Sequence, residues 1–312
     1  MHFVLGTVFF LLVVDTTVFA RIYNQVECLS GQGFLDAFEY QSIEDPTHGR
    51  VNYVDSETAA REKLTYVSGG HFIMRADSTK RLNPNGPGRD SVRLQSRKQY
   101  TTSVMVFNIY HMPVGCGTWP AVWTNGANWP YQGEIDILEG ANDVGPNQVT
   151  LHTGPGCTMP ASRHETGYPA GDNCDSVNSN YGCGVKLSDP RSFSHDFNRN
   201  GGGWYVVERT SDFIKVWFWS RSSAPSDVKN GESQVDTDHW GAPGAYFPST
   251  SCSIAREFGP HNIMLDLTFC GDLAGNAYRD SGCPLTCVDF VNNNPAAFHD
   301  AYFDFEWLKI YT

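Results

Sequence analysis

Positive charge is scarce in this chain. Lys and Arg number 22 against 34 Asp and Glu, a formal net charge of −12. A phosphate backbone is gripped by Lys and Arg, so nucleic acid is excluded as a partner. Asn-x-Ser/Thr sequons are absent, and N-glycosylation is not expected. Long helical periodicity is also missing, which argues against a bundle. Beyond residue 20 no apolar run reaches membrane-spanning length. No linker-like tract, charge run or repeat divides residues 21–312.

What is present begins with MHFVLGTVFFLLVVDTTVFA, an apolar stretch too short to span a bilayer and ending in Val18-Phe19-Ala20. Residues 1–20 read as a secretory signal, the alternative being a buried core segment. Residues 21–312 are then expected to be one secreted domain, extracellular or associated with a cell wall, monomeric and free of membrane. Cysteine usage agrees with an oxidising compartment. Nine cysteines, Cys28, Cys116, Cys157, Cys174, Cys183, Cys252, Cys270, Cys283 and Cys287, read as disulfides of undetermined connectivity. The number is odd, and Cys28 is expected to be the unpaired one. Cys283 and Cys287 approach zinc-ligand spacing, but no second pair completes a site.

Short β-branched and aromatic runs recur between Gly, Asn, Pro and Asp clusters, which predicts an all-β sandwich or barrel. The runs are 71–77, 91–96, 101–111, 134–139, 148–153, 204–210, 213–220, 262–269 and 302–312. WYVVERTSDFIKVWFWS predicts a hairpin with Thr210-Ser211-Asp212 at its tip. Residues 292–300 predict a short helix capped by Asn294 with Pro295 in first position. The stretch 154–200, rich in Gly, Ser, Asn and Cys, predicts a loop pinned by disulfides.

The run EIDILEG (134–140) poses a geometric question. Alternation in a regular strand puts Glu134 and Asp136 on one face and Glu139 on the other. One extra residue at Ile137-Leu138, a β-bulge, would reverse the parity and bring all three acids to one face. Two glutamates leaning over one bond match the needs of a retaining glycosidase, a nucleophile and an acid/base. Asp136 between them would separate their pKa values. A solvated acidic strand end is the plain alternative. Upstream, GTWPAVWTNGANWPYQG places Trp119, Trp123 and Trp129 within eleven residues. Indole faces stack on sugar C–H surfaces, although core packing accounts for some tryptophans in any chain.

The motif GEIDILEG, with DPTHGRVNYVD, GRDSVRLQS, HMPVGCGTWPAVW, TLHTGPGC, FCGDLAGNAY, CVDFVNNNPAAF and FEWLKIY, resembles glycoside hydrolase family 16, in particular its fungal laminarinase-like endo-β-1,3(4)-glucanases. The resemblance implies a jelly-roll sandwich of two curved antiparallel sheets, with an open cleft on the concave face. It implies Glu134 as nucleophile, Glu139 as acid/base and Asp136 as the assisting acid. Trp119, Trp123, Trp129 and Trp240 become candidate sugar platforms. His152, Arg93 and Asn52 become candidate hydrogen-bonding groups, with Asp272 a weaker one. It further implies internal cleavage of β-1,3 bonds, and of β-1,4 bonds next to them, in β-glucan polysaccharides, with no cofactor required. Some relatives carry a structural Ca²⁺, for which no clear ligand set stands out here. Val122 and Leu273 depart from the Phe and Trp usual in relatives, an expected change to the cleft floor. A transglycosylase would use the same residues. A non-catalytic glucan-recognition protein would lack the three acids.

Overall fold

All nine runs expected as strands form strands, and others join them. The computed structural model describes residues 21–179 and 181–312; the expected signal lies outside the described residues. Eight strands make the first sheet, in the order Tyr168–Pro169, Cys183–Lys186, Gln148–His152, Glu134–Glu139, Thr118–Gly126, His261–Phe269, Arg93–Tyr100 and Phe38–Tyr40. The second sheet is built around Tyr302–Tyr311, Ser103–His111, Gly203–Arg209 and Phe213–Ser220. Neighbours within both sheets pair antiparallel. The expected jelly-roll gains one feature, a small parallel pair of Val51–Tyr53 with Arg89–Ser91.

The core lies between the two sheets. Ile135, Val122, Leu265, Leu94 and Leu151 point into it from the first, and Phe107, Val207, Val216, Leu308 and Ile310 from the second. Burying each such side chain contributes roughly 1.5–3 kcal/mol. Alternation then leaves the polar partners of the first sheet's strands on its outer, concave face. Val122 is one of the core residues and fully buried, so its departure from the family pattern does not touch the cleft floor. Leu273 sits exposed on the short helical segment Gly271–Gly275.

The hairpin forms as expected; the Thr210 hydroxyl accepts from the backbone N–H of Asp212 (3.1 Å) and Phe213 (3.2 Å), closing its tip. Trp240 is a correction. It is only 6% exposed and packs edge-on against Trp217 and Trp219, with its N–H on Asp227. That cluster covers the far face of the second sheet, away from the cleft. Asn294 stands at the N-cap of the short helical turn Pro295–Phe298, with Pro295 first, but its side chain makes no capping bond and its amide donates back to the Phe290 carbonyl (3.1 Å). The stretch 154–200 is more than loop, since Cys183–Lys186 is a strand and Ser194–Arg199 a helix.

Four disulfides join Cys116–Cys283, Cys157–Cys252, Cys174–Cys183 and Cys270–Cys287. Cys28 is the free, exposed thiol. No described helix is long and apolar enough to cross a membrane.

Candidate active site

The acidic strand, Glu134–Glu139, lies between the strand carrying Trp119 and Trp123 and the strand carrying His152. Its register answers the parity question. Glu134 faces Asn125 and Asp136 faces Trp123, then the ladder slips so that Leu138 faces Val122 and Glu139 faces Ala121. Ile137 is the inserted residue, and Ile135, Ile137 and Leu138 all enter the core. Glu134, Asp136 and Glu139 therefore line one cavity, together with Trp119, Trp123 and Asp266.

A single side chain clamps the bulge. Asn147 is fully buried; its Nδ2 donates to the Ile137 carbonyl (2.9 Å), and its Oδ1 accepts from the Glu139 N–H (2.8 Å). These are the backbone groups a bulge leaves outside the ladder, and burial demands partners for them. The Asn147 N–H in turn donates to Ser192 Oγ (3.0 Å).

Each acid has its own surroundings. Trp119 donates its indole N–H to Glu139 Oε1 (2.9 Å). His152 sits opposite Glu134 in register, with Nε2 3.3 Å from Asp136 Oδ2 and Nδ1 2.7 Å from Ser176 Oγ. Asp266, on the strand beyond the tryptophans, accepts from Trp123 Nε1 (2.7 Å) and Tyr53 Oη (2.9 Å). Arg93 approaches Asp266 at 3.7 Å, stacks 4.9 Å from the Trp123 ring and donates to Gln41 (2.9 Å).

Desolvation is the largest influence on all four carboxyls. It raises Glu134 and Asp136 well above the ordinary range; Asp136 adds to the rise in Glu134, and Glu139 to that in Asp136. Glu139 is raised too, by burial first; the Trp119 N–H and His152 pull it down, and Asp266 pushes it up. Asp266 is raised by burial and restrained chiefly by Arg93. The acids cannot all ionise together, so the cluster retains protons where isolated carboxyls have lost theirs.

Not every expected residue joins this centre. Trp129 stands 45% exposed on the turn entering the acidic strand. Asn52 gives its amide to Asp90 (2.6 Å), on the small parallel pair. Trp119 and Trp123, expected as platforms, are seen here as donors to Glu139 and Asp266. The reading from sequence overlooked Asp266, Asn147, Tyr53 and Ser176. Asp266 had a signal: it is the one charge in NIMLDLTF, in phase with Met264 and Thr268.

A sandwich with a bulged acidic strand across its concave face is the architecture of a carbohydrate-active enzyme domain. The family model described as "XgeA-like, catalytic GH16 domain" matches residues 38–311, and the chain belongs to glycoside hydrolase family 16. A Schizosaccharomyces pombe protein named probable glycosidase C21B10.07 is 44% identical over 94% of this chain and 70% of its own length. The chain spans less than half the length of the Aspergillus and Emericella relatives it matches. The structure of laminarinase 16A from Phanerochaete chrysosporium, solved with 6-O-glucosyl-laminaritriose in donor and acceptor sites, superposes with a TM-score of 0.92. It is 51% identical, covering 93% of this chain and all of that one. An elongating family 16 β-1,3-glucosyltransferase superposes at 0.88 with 39% identity, covering 93% and 100%.

Proposed function

We propose that this chain is a secreted, retaining endo-hydrolase of β-1,3-glucans that also cuts β-1,4 bonds next to β-1,3 units. The observation that carries this reading is the bulge, which turns Glu134 and Glu139 onto one wall of an aromatic cleft. In this reading Glu134 attacks the anomeric carbon while Glu139 protonates the departing glycosidic oxygen. Glu139 then takes a proton from water, which releases the sugar from Glu134 with its configuration retained. Trp119 holds one oxygen of Glu139, leaving the other to meet the substrate. Asp136 and His152 set the charge felt by Glu134. Burial supplies Glu139 with the raised pKa that a proton donor needs. The relatives' names and the glucan-bound laminarinase support β-glucan as the substrate. Four disulfides support an extracellular location.

One observation favours a second reading. The glucosyltransferase neighbour shares this fold at 39% identity, and passing the glycosyl group to a sugar rather than water requires no new catalytic residue. A time course of products from laminarin, mixed-linkage cereal glucan and cellulose separates the possibilities. Short oligosaccharides from the first two and none from cellulose are expected. Products longer than the oligosaccharides supplied would establish transfer instead. Binding without products on all three would overturn both and leave a recognition protein.

A further inference from the structure

We infer that the cleft contains a site for a divalent transition metal of the Zn²⁺ class, formed by Glu134, Asp136 and His152, and that its occupation blocks the nucleophile. One ligand atom from each of the three lies within 4.8 Å of the others. His152 Nε2 and Asp136 Oδ2 stand 3.3 Å apart, about the edge of a tetrahedron with metal bonds near 2.0–2.1 Å.

The second observation concerns Asp136 itself. It is 2% exposed, and its Oδ2 has no hydrogen-bond partner although an imidazole nitrogen faces it. A buried carboxylate oxygen left without a donor is a costly arrangement that a cation between the two atoms relieves. The rest of the geometry suits that cation. Ser176 Oγ, 2.7 Å from His152 Nδ1, accepts Nδ1–H in one tautomer and leaves the Nε2 lone pair facing the carboxylates. One imidazole and two carboxylates are a zinc donor set with an open position toward the cleft. Calcium prefers six to eight oxygens. The described surface holds other His–Asp pairs, among them His48–Asp272 and His299–Asp300, but these are exposed pairs of two groups each.

Metal binding stands apart from the proposed activity; the inhibition it would cause rests on that proposal. The test is calorimetric titration of ZnCl₂ alone into the full chain, cleared of metal and held in a non-coordinating buffer at neutral pH. One saturable 1:1 event is expected. His152→Gln and Glu134→Gln should each weaken it at least about 10-fold, Ser176→Ala about 10-fold, and His299→Gln not at all. Near-UV circular dichroism checks that each variant is folded, and Glu134→Gln, which keeps the shape of the side chain, serves if His152→Gln is not. Absence of a saturable event, or wild-type affinity in a folded His152 or Glu134 variant, would overturn the site. Laminarin turnover should fall with Zn²⁺ and return with excess chelator. Turnover unchanged at saturating metal would overturn the block. Zinc binding by a chain inactive even when metal-free would leave the site standing and count against the proposed function.

Discussion

Glu139 enters the cleft with Oε1 already engaged by Trp119, whereas Glu134 faces Asp136 and His152. Unequal surroundings are what two roles require, and they make the roles separable by experiment. Glu134→Ser should lower turnover by at least roughly 10³-fold while leaving the fold intact. With added azide and an activated β-glucoside, that variant should yield the α-glucosyl azide; Glu139→Ala should yield the β-azide. The same anomer from both would reject the assignment. Asp266 supplies a second test. Its negative charge raises Glu139, so Asp266→Asn should make Glu139 easier to ionise. The acid must be protonated to act, so the alkaline limb of kcat/KM against pH should move to lower pH. A merely structural Asp266 would change the height of the profile and leave the limb in place. The glutamates were legible because a motif and a parity argument both pointed at them. Asp266 was not, because its meaning depends on Tyr53, more than two hundred residues away in the chain.

The acidic strand works as an element only because something holds its irregularity in place. Asn147 satisfies a carbonyl and an N–H on either side of Leu138. Asn147→Ala would leave both groups buried without partners, at about 1–3 kcal/mol for each. It should lower Tm, and it should lower kcat by about 10²-fold by displacing Glu139. Asn147→Asp keeps the acceptor for Glu139 but loses the donor to Ile137, and should fall between. Wild-type kcat in folded Asn147→Ala would remove the clamp from the account. The bulge was visible in six residues of sequence, whereas its clamp, in a loop with no periodicity, was not. The strand Thr118–Gly126 was overlooked for a related reason. It contains Pro120, Asn125 and Gly126, poor strand formers by local preference. Pairing with His261–Phe269 along its whole length overrides that preference, and its pairing with the acidic strand stops at Ala121, next to Pro120.

Across the whole molecule, two sheets and four disulfides hold together a cleft whose acids prefer not to be charged. Long-range placement of this kind is where reading a sequence fails. The family resemblance offered Trp240 as a sugar platform, and only the packing of 221–241 against the second sheet puts it on the opposite side. The same packing gives the cleft an energetic cost that can be measured. The pKa of Asp136 is raised well above the unfolded value, chiefly by burial and then by Glu139. The folded state therefore binds the Asp136 proton more tightly than the unfolded chain does. That contribution to stability is complete below the unfolded pKa, about 3.9, and is lost as pH rises through the folded value. Neutral pH lies above the unfolded pKa, so there the wild type is subject to that loss. Asp136→Asn cannot ionise and escapes it, so its Tm should exceed that of the wild type at pH 7. The gap should close as the pH is lowered toward about 4, where the wild-type carboxyl becomes protonated in both states. Activity should move the other way, because the charge that steers Glu134 is gone. A scan of Tm against pH for the two proteins decides the matter. If Asp136→Asn is less stable by the same margin at both ends, the carboxyl is a structural ligand of the cleft and not a strained participant in it.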